Sequence, residues 1–419
     1  MKNAALCKGD WAGGHGPATS TADEQDGFRR GSPAYRRASL ALFLGGFATF
    51  SLLYCVQPLL PEFARDYHVA PAVSALALSL TTGALALTIF LTGAVSQGLP
   101  RRPLMFTSMA LAAGCNLLAA LAPSWPVLLL ARLTEGAVLG GVPAVAMAYL
   151  AEEVHVGDLG RAMGLYVAGT AFGGMMGRVG MGLLVEYGSW RMAMALLGVL
   201  GLLAAAGFAA LLPASVRFRA RRGSSLRQHA TQWARHLRHG DMARLFGIGF
   251  ILTSVFVTLF NYAGFRLIAP PFRLGQTGVS LIFLSYILGM VASPWAGQLA
   301  DRHGRRGPLV GMLLVMGLGA VVTLSGSLVL ITLGILLVTV GFFGAHAIAS
   351  GWVGELAGAA KGHAASLYLL FYYVGSSITG SSGGWLWQRY GWWGIVALAV
   401  VLALGGIWLA QGVKARADA

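Results

Sequence analysis

Charged residues are scarce in this chain of 419 residues: Asp, Glu, Lys and Arg together make up 11% of it, whereas 56% is hydrophobic. A soluble protein covers its surface with roughly a quarter charged residues. The mean hydropathy of +0.69 agrees with this deficit, so lipid must solvate most of the exterior. The composition therefore excludes an ordinary soluble domain and predicts a membrane protein.

Acidic residues and cysteines are also few. Of the 15 acidic residues only Glu135 lies deep in an apolar segment, and Cys7, Cys55 and Cys115 have neither metal-site nor redox spacing. An intramembrane enzyme would need an HExxH zinc motif, a paired acid or a nucleophile constellation at depth. The sequence contains none of these, so we expect no enzymatic activity, no cofactor and no bound metal.

Long apolar runs are what the chain does have. A spanning helix needs about 20 apolar residues, and each backbone group in lipid must find its partner within the chain. Twelve segments qualify, which predicts an all-α membrane protein with twelve transmembrane helices. Their approximate limits are 38–57, 73–96, 103–122, 126–150, 162–185 and 191–212, followed by 242–263, 279–300, 308–325, 328–351, 364–386 and 392–410.

Basic residues are distributed unevenly between the two sides of the membrane. The loops on one side, together with both chain ends and the central loop, carry 23 of the 30 Lys and Arg residues, whereas the other loops carry 5. This asymmetry places the richer side in the cytoplasm. We therefore expect a bacterial inner-membrane protein with both termini cytoplasmic. The net charge of +15 forms no stripe on a folded domain, so we expect no nucleic-acid binding.

Three segments lie outside the predicted spans. Residues 1–37 lack the apolar core of a signal peptide and are predicted to be a disordered cytoplasmic tail, and residues 411–419 form a second tail. The basic linker 213–241 contains apolar residues at helical spacing, namely Leu226, Ala230, Trp233 and Leu237. This spacing predicts an amphipathic helix on the anionic inner leaflet. A solvated basic linker is the alternative.

The two halves of the chain repeat the same pattern. A shift of about 202 residues superposes Trp190 on Trp392, and a shift of about 204 superposes Arg101-Arg102 on Arg305-Arg306. Six spans separate equivalent positions, so the six-helix bundles 38–212 and 242–410 form a parallel repeat. Such proteins bind solute between the halves near the midplane. We therefore expect a transporter that works by alternating access.

The loop between spans eight and nine reads Gly297-Gln-Leu-Ala-Asp301-Arg302-His-Gly304-Arg305-Arg306-Gly-Pro-Leu309. It resembles the GxLADRxGRRxxL signature of the major facilitator superfamily at every defined position. An acid at a helix end beside several arginines makes a charge cluster that can form and break as the bundles move. We predict a gating loop here, with topology-setting charge as the alternative. The first-half copy keeps Arg101 and Arg102, but Gln97 replaces the acid and Pro100 the second glycine.

Spans four and five carry further elements of this kind. Leu130-Ala-Arg132-Leu-Thr-Glu135-Gly136 is similar to the superfamily's RxxxG element, and Gly169-Thr-Ala-Phe-Gly173-Gly174 resembles the antiporter motif GPxxGG, with Thr170 in place of proline. With GVPAVAMAYLAEE and GFFGAHAIASGWVG, these runs most resemble the YnfM-like branch, which includes arabinose and drug exporters. The resemblance covers residues 38–410. It implies the major facilitator fold, a monomer and a small-molecule substrate.

Three ionisable residues lie deep in the spans: Arg132, Glu135 and Arg178. Such groups are costly in lipid and usually functional. At 1.5 Å per residue, Arg132 lies roughly 10 Å and Arg178 roughly 13 Å below the periplasmic surface, so the three could share one layer. We hypothesise that Glu135 exchanges a proton while both arginines hold its carboxylate in the charged form. The alternatives are a structural ion pair between spans four and five and a positive site for an anionic solute.

Scattered polar side chains are candidates for lining the solute cavity. They are Tyr54, Gln57, Asn116, Tyr166, Asn261, Tyr262, Tyr286, Tyr368, Tyr372, Tyr373 and His346. Apolar walls with scattered hydroxyls and amides suit an amphipathic or weakly polar solute. For each residue, helix packing or anchoring is the alternative role, since tyrosine also anchors helices at the membrane interface.

These features together predict a secondary transporter whose partners are a small molecule, protons and the lipid bilayer. The glycine-rich span five favours proton-coupled export of a drug, sugar or other metabolite. Uptake or uniport is the alternative among transporters. A membrane sensor is the alternative from another class, although no loop is long enough for the soluble domain that a sensor usually adds.

We predict that reporter fusions at both ends of the chain are active in the cytoplasm, because the basic loops cannot easily cross to the other side. Green fluorescent protein should fluoresce at either terminus, whereas alkaline phosphatase should be inactive there. A phosphatase fusion after Arg273, in a loop of the other set, is the positive control. Termini on opposite sides of the membrane would contradict the parallel repeat.

Overall fold

The computed structural model describes residues 27–95, 100–217 and 226–414. Within these ranges the chain consists of helices and short loops, with one isolated parallel bridge between Phe28 and Val154. Helices dominate because long apolar runs with few interior prolines satisfy their own backbone groups.

Six helical spans form the first half. The short helices Leu60–Asp66 and Pro71–Ser74 join the first span to the second, and the fourth span is interrupted at Gly140. The spans are α1 (Pro33–Tyr54), α2 (Leu76–Val95), α3 (Arg101–Ala120), α4 (Trp125–Leu139 and Gly141–Glu153), α5 (Val156–Glu186) and α6 (Trp190–Leu211).

Six further spans form the second half. The helix Lys361–Gly412 holds two of them, because Gly391 breaks it with φ 58° and ψ −145°, a conformation that glycine adopts without steric cost. The spans are α7 (Gly240–Ile268), α8 (Tyr286–His303, preceded by Gln276–Ser280), α9 (Arg306–Val322), α10 (Leu328–Leu356), α11 (361–390) and α12 (392–412).

Hydropathy supports these spans. In the described ranges, nine helices are long and apolar enough to cross a membrane, and Arg306–Val322 is a shorter apolar helix. The 52-residue helix provides two spans, and α5 is long enough but less apolar because of its many glycines and Arg178. The twelve predicted spans thus correspond to twelve helical segments of an all-α membrane fold.

The chain is ordered earlier than the predicted tail boundary at residue 37. Residues 33–37 belong to α1, because Ser32 caps the helix by accepting a hydrogen bond from the Tyr35 amide and Pro33 occupies its first turn. Just before it, Phe28 N donates to Glu153 O over 2.7 Å. Residues 1–26 of the predicted tail lie outside the described residues, and so do residues 415–419.

Glycines bring α5 close to α1. A Cβ at Gly173 would lie 2.2 Å from the Phe47 carbonyl oxygen, and one at Gly177 would lie 2.6 Å from the Ser51 Cα. The Ser51 hydroxyl donates to Gly173 O over 2.8 Å. The two helices therefore pack closely, and this packing fixes the position of Arg178 relative to α1.

The two halves repeat each other's contacts at the end of the bundle that carries the basic loops, here called the basic end. Arg101 pairs with Glu152 over 2.9 Å, and Arg305, at the equivalent position, pairs with Glu355. Arg102 donates to Ala209 O, and its counterpart Arg306 donates to Val413 O. Equivalent arginines therefore make similar bonds in the two halves, as a duplicated bundle requires.

The halves contact each other mainly away from the basic end. Gln57 donates to Asn261 over 2.7 Å, and Gln276 donates to Glu62 over 2.8 Å. In α11, Ser381 donates to the Ser79 hydroxyl of α2 over 2.7 Å. These polar contacts, together with large buried apolar residues, close the bundle at the end opposite the basic loops.

A helix occupies the central linker from Leu226 to Arg238. It contacts both halves at the basic end: the Trp233 ring stacks on Phe90 of α2 with centroids 4.1 Å apart, and its Nε1 donates to Ser366 of α11 over 3.3 Å. The His229 and His363 rings are also joined by a 2.9 Å hydrogen bond. The tryptophan of the predicted amphipathic helix thus packs on protein.

We predict that Trp233→Ala loosens the linker helix from the bundle, because it removes both the aromatic stack and the hydrogen bond to Ser366. Trypsin should then cut within 227–238 roughly two to ten times faster. Loss of one aromatic stack raises the population of the undocked helix by about that factor, and proteolysis follows this population. The rate of digestion of the protein in detergent micelles is the measurement.

Thr231→Ala is the matched control on the same helix, because its hydroxyl bonds only to the carbonyl of Arg227. Equal cleavage rates for the wild type and Trp233→Ala would contradict a docked helix.

Candidate functional site

A buried ion pair lies in α4. The Arg132 Nη1 donates to Glu135 Oε2 over 2.5 Å, and both side chains are completely inaccessible to solvent. They are three residues apart, so both lie on one face of the helix. Glu135 Oε1 is buried and has no hydrogen-bond partner in the described part of the chain. One oxygen of the carboxylate is thus held, and the other is available for a proton.

Arg132 also ties α4 to α1 and α2. Its Nη2 donates to Leu53 O over 2.8 Å, and its Nε donates to Ala77 O over 3.2 Å. Gly136 permits this close approach, because a Cβ there would lie 2.1 Å from Thr81 O. The sequence element RxxxG therefore places the arginine on backbone carbonyls and the glycine at the helix contact. These bonds join α4 to α1 and α2, whereas the structural alternative from the sequence placed an ion pair between spans four and five.

Arg178 lies on α5 and bonds elsewhere. Its Nε donates to Gln57 Oε1 and its Nη1 to Gly174 O, each over 2.6 Å. The guanidinium carbon lies 3.9 Å from the ring centroid of Tyr54 and 5.1 Å from those of Phe283 and Tyr286. In the described structure its hydrogen bonds thus go to Gln57 and Gly174, whereas the hypothesis paired it with Glu135.

Gln57 and Asn261 meet where the halves meet. They occupy equivalent places in the repeat, 204 residues apart, and they are both buried. Gln57 donates to Asn261 through its nitrogen and accepts from Arg178 through its oxygen. One amide therefore connects the cation of the first half to the second half.

An aromatic wall in the second half continues from Arg178 towards the basic end. Tyr286 contacts Phe343 with ring centroids 5.4 Å apart, and Phe343 contacts Phe342 at 5.3 Å. Phe342 stacks on His346, whose Nδ1 shares a 3.0 Å hydrogen bond with the Tyr368 hydroxyl. Tyr372 and Tyr373 extend the wall.

The exposure of these rings shows which of them face open space. Phe343, His346 and Tyr372 are half-buried, whereas Tyr368 and Tyr373 are buried. Phe343, His346 and Tyr372 therefore keep some accessible surface, and a ring of a bound molecule could stack there.

Three other cavity candidates have packing partners. Asn116 is fully buried within the first bundle and donates to Met194 O over 2.7 Å. Tyr262 donates to Gly380 O over 2.9 Å and so joins α7 to α11. Tyr166 is 5% exposed and belongs to the core of the first bundle.

The predicted gating loop is held within the second half. Gly297 lies in α8, Gly304 ends that helix with φ 78°, and Asp301 and Arg302 are exposed. Arg305 lies 3.5 Å from Asp301 and is also bonded to Glu355. The loop is thus a cluster of one arginine between two acids. In the first-half copy, Gln97 lies outside the described residues.

Sequence reasoning missed part of the wall. Phe256, Phe283, Phe342 and Phe343 were not among the candidates, although Phe256 and Phe342 stack with centroids 3.9 Å apart. A phenylalanine has the same apolar character as the rest of its span. Hydrophobic periodicity therefore cannot distinguish a ring that lines a solute path from one that faces lipid. The adjacent pair Phe342-Phe343 beside His346 was the one local signal.

Comparisons with known proteins agree with this architecture. The model of the Major Facilitator Superfamily matches residues 42–291. The chain is 42% identical to the uncharacterized MFS-type transporter YybF of Bacillus subtilis, over 93% of this chain and 96% of that protein. It is 43% identical to the inner membrane transport protein YnfM of Escherichia coli, over 90% of this chain and 91% of that one.

Solved structures with the same fold include a bacterial homologue of the human lysosomal transporter Spinster, in an inward-facing and occupied conformation, with a TM-score of 0.76 and 13% identity. That match covers 93% of this chain and 100% of the other. The nucleoside transporter NupG matches with a TM-score of 0.74 and 15% identity, over 90% and 98%. The two helical bundles, together with the transporters that are 42% and 43% identical to this chain, define a multi-pass membrane transporter. The chain belongs to the major facilitator superfamily, and it is a transport protein, not an enzyme.

We predict that Arg132→Met lowers the free energy of unfolding by about 3–5 kcal/mol, because it leaves the Glu135 carboxylate buried without its cation. Reversible unfolding of the purified protein in mixed micelles measures the change. The double variant Arg132→Met/Glu135→Gln should recover part of the lost unfolding free energy, because it also removes the unpaired Glu135 carboxylate. A loss below about 1 kcal/mol would contradict the role of Arg132 in joining α1, α2 and α4.

Proposed function

We propose that this protein exports a small amphipathic molecule across the bacterial inner membrane in exchange for protons. The observation that carries the proposal is the Glu135 carboxylate: one oxygen is bonded to Arg132, and the other is buried with no partner among the described residues. Ionisable groups at this depth are rare outside proton and substrate pathways.

Proton exchange requires that the environment of Glu135 differ between two states. Burial favours the neutral acid, whereas the neighbouring Arg132 favours the carboxylate. Arg132 also bonds to carbonyls of α1 and α2, so a shift of these helices during alternating access would change its distance from Glu135. Such a shift would capture or release one proton in each cycle.

The closed end supports the alternating-access part of the proposal. The bonds Gln57–Asn261 and Gln276–Glu62 lie away from the basic end. If the basic end faces the cytoplasm, this state offers its cleft to the cytoplasm, where an exporter collects its solute. The charge clusters around Arg101 and Arg305 would then rearrange when the opposite state forms.

Several features favour export over uptake. The glycine face of α5 resembles the antiporter motif, and the YnfM-like branch includes drug and arabinose exporters. The Escherichia coli relative is named an inner membrane transport protein, which supports the same location here. We further propose that the protein works as a monomer, as is usual in the superfamily.

The test begins with a solute. Strains that lack or overproduce the protein are grown on a panel of dyes, antibiotics and sugars. Raised tolerance on overproduction identifies an exported compound, whereas impaired growth of the deletion strain on one carbon source would indicate uptake and overturn the export proposal.

We predict that Glu135→Gln uncouples transport of that compound from protons, because the amide keeps the shape of the side chain but cannot titrate. In proteoliposomes of the wild type, a gradient of one pH unit should drive about tenfold accumulation for one proton per solute. The variant should exchange labelled solute at equal concentrations but show no accumulation when a pH gradient is imposed.

Asp241→Asn is the matched control, because Asp241 pairs with Arg244 of its own helix, outside the clusters around Arg101 and Arg305, and the change should leave accumulation intact. Accumulation by Glu135→Gln equal to that of the wild type would exclude this proton site. Loss of folding in Glu135→Gln, seen by size-exclusion chromatography, would instead assign the pair a purely structural role.

A further inference from the structure

A cation, Arg178, lies at the closed end of the proposed cleft, and no carboxylate of the described residues pairs with it. Arg178 is 2% exposed, and in the described structure it makes no ion pair with a carboxylate; its bonds go to an amide oxygen and a backbone carbonyl. A guanidinium has five N–H donors, and these two bonds use two of them. The protein therefore leaves positive charge and donor capacity at the blind end of the cleft.

The surroundings of Arg178 suit a flat ligand. Tyr54, Phe283 and Tyr286 place their rings 3.9 to 5.1 Å from the guanidinium carbon. Aromatic faces stabilise a cation in part, but they supply no hydrogen-bond acceptor in the plane of the guanidinium. A carboxylate would fill this need, because its two oxygens match two parallel N–H groups.

In the described ranges, no acid is placed where it could receive a cationic solute. Among the described residues, the carboxylate at membrane depth is Glu135, which is completely buried and bonded to Arg132. Other described acids, such as Glu62, Glu152, Glu186 and Glu355, are at the ends of helices. The field in the cleft is therefore positive, so it disfavours a cation and favours an anion.

The aromatic wall offers a surface on which the ring of a solute can stack. The centroids of Tyr286 and Phe343 are 5.4 Å apart, and those of His346 and Tyr372 are 4.9 Å apart. Phe343, His346 and Tyr372 are half-buried and so can accept a further ring. Stacking on such a wall adds to the attraction of the buried area itself.

We propose that the solute is an organic anion with an aromatic or similarly flat apolar body, whose carboxylate binds Arg178 and whose ring stacks on the wall of Phe343, His346 and Tyr372. This inference rests on the proposed transport function, of which it names the substrate class. It assigns Arg178 to the solute and leaves the proton to Glu135.

Equilibrium binding tests the substrate class without any transport step. The full-length protein in detergent is titrated calorimetrically with three probes that share one bicyclic ring: 2-naphthoate, 2-naphthamide and 2-naphthylmethylammonium. The anion should bind at least about tenfold more tightly than the cation, because it alone makes charge-assisted bonds to the guanidinium. The neutral amide should lie between them.

Variants locate the contact. Arg178→Gln should weaken 2-naphthoate by about tenfold or more and leave 2-naphthamide within roughly threefold. Arg178→Lys keeps the charge without the planar fork, so it should retain the preference for the anion over the cation but bind the anion more weakly. Arg389→Gln, which removes an exposed arginine outside the cleft, is the matched control and should change nothing.

A variant of the wall provides a test that does not depend on the folding of Arg178→Gln. Phe343→Leu should weaken 2-naphthoate and 2-naphthamide by the same factor, roughly two- to tenfold, because it removes a stacking face and no charge. Unequal losses for the two probes would contradict ring stacking at this position.

Three results would overturn the inference: tighter binding of the cation, unchanged 2-naphthoate binding in Arg178→Gln, or no binding of any probe to the wild type. These outcomes are separate from the proton test. If 2-naphthoate binds as described but Glu135→Gln still accumulates solute, the substrate class stands and the proton role of Glu135 falls.

Discussion

The cost of placing an arginine in an apolar interior governs much of this structure. A buried cation is tolerated only where hydrogen bonds and an opposite charge compensate it, and Arg132 obtains both from three helices, through Glu135, Leu53 O and Ala77 O. The close helix contact at Gly136 brings these groups within reach. The first bundle is thus organised around the buried charge of Arg132. Any motion of α1 or α2 would change the hydrogen bonds that compensate this charge.

The two halves share an arginine–acid pair at the basic end, but they differ in the residues that they place at the membrane centre. At the basic end, both copies retain an arginine paired with an acid, Arg101 with Glu152 and Arg305 with Glu355. At the membrane centre they differ, because the deep charges lie in the first half and the aromatic wall lies in the second. Proton chemistry would therefore belong to the first bundle, whereas the solute would contact both bundles, through Arg178 of the first and the aromatic wall of the second. The amide pair of Gln57 and Asn261 joins the two bundles.

The fold followed from the sequence more completely than the site did. Long apolar runs, basic loops and the repeat of about 202–204 residues predicted the helices and their grouping, since each of these is a one-dimensional pattern. Arg132 and Glu135 were paired correctly because residues three apart share a helix face. Apart from Gly174, the partners of Arg178 lie outside α5, and their positions depend on how α1, α5 and α8 pack. The phenylalanines of the aromatic wall escaped prediction, because a phenylalanine that lines a solute path and one that faces lipid look alike in an apolar segment.

The side chain of Gln57 has only one oxygen and one nitrogen, and both are occupied: Arg178 uses the oxygen and Asn261 takes a hydrogen bond from the nitrogen. Whatever draws the guanidinium away frees the carbonyl to seek another donor, and a rotated amide can no longer serve its neighbour across the midline. Binding of a solute to Arg178 would thereby weaken the contact between Gln57 and Asn261, which joins the halves at the end opposite the basic loops. A single uncharged residue would then couple occupation of the binding site to the opening of that end.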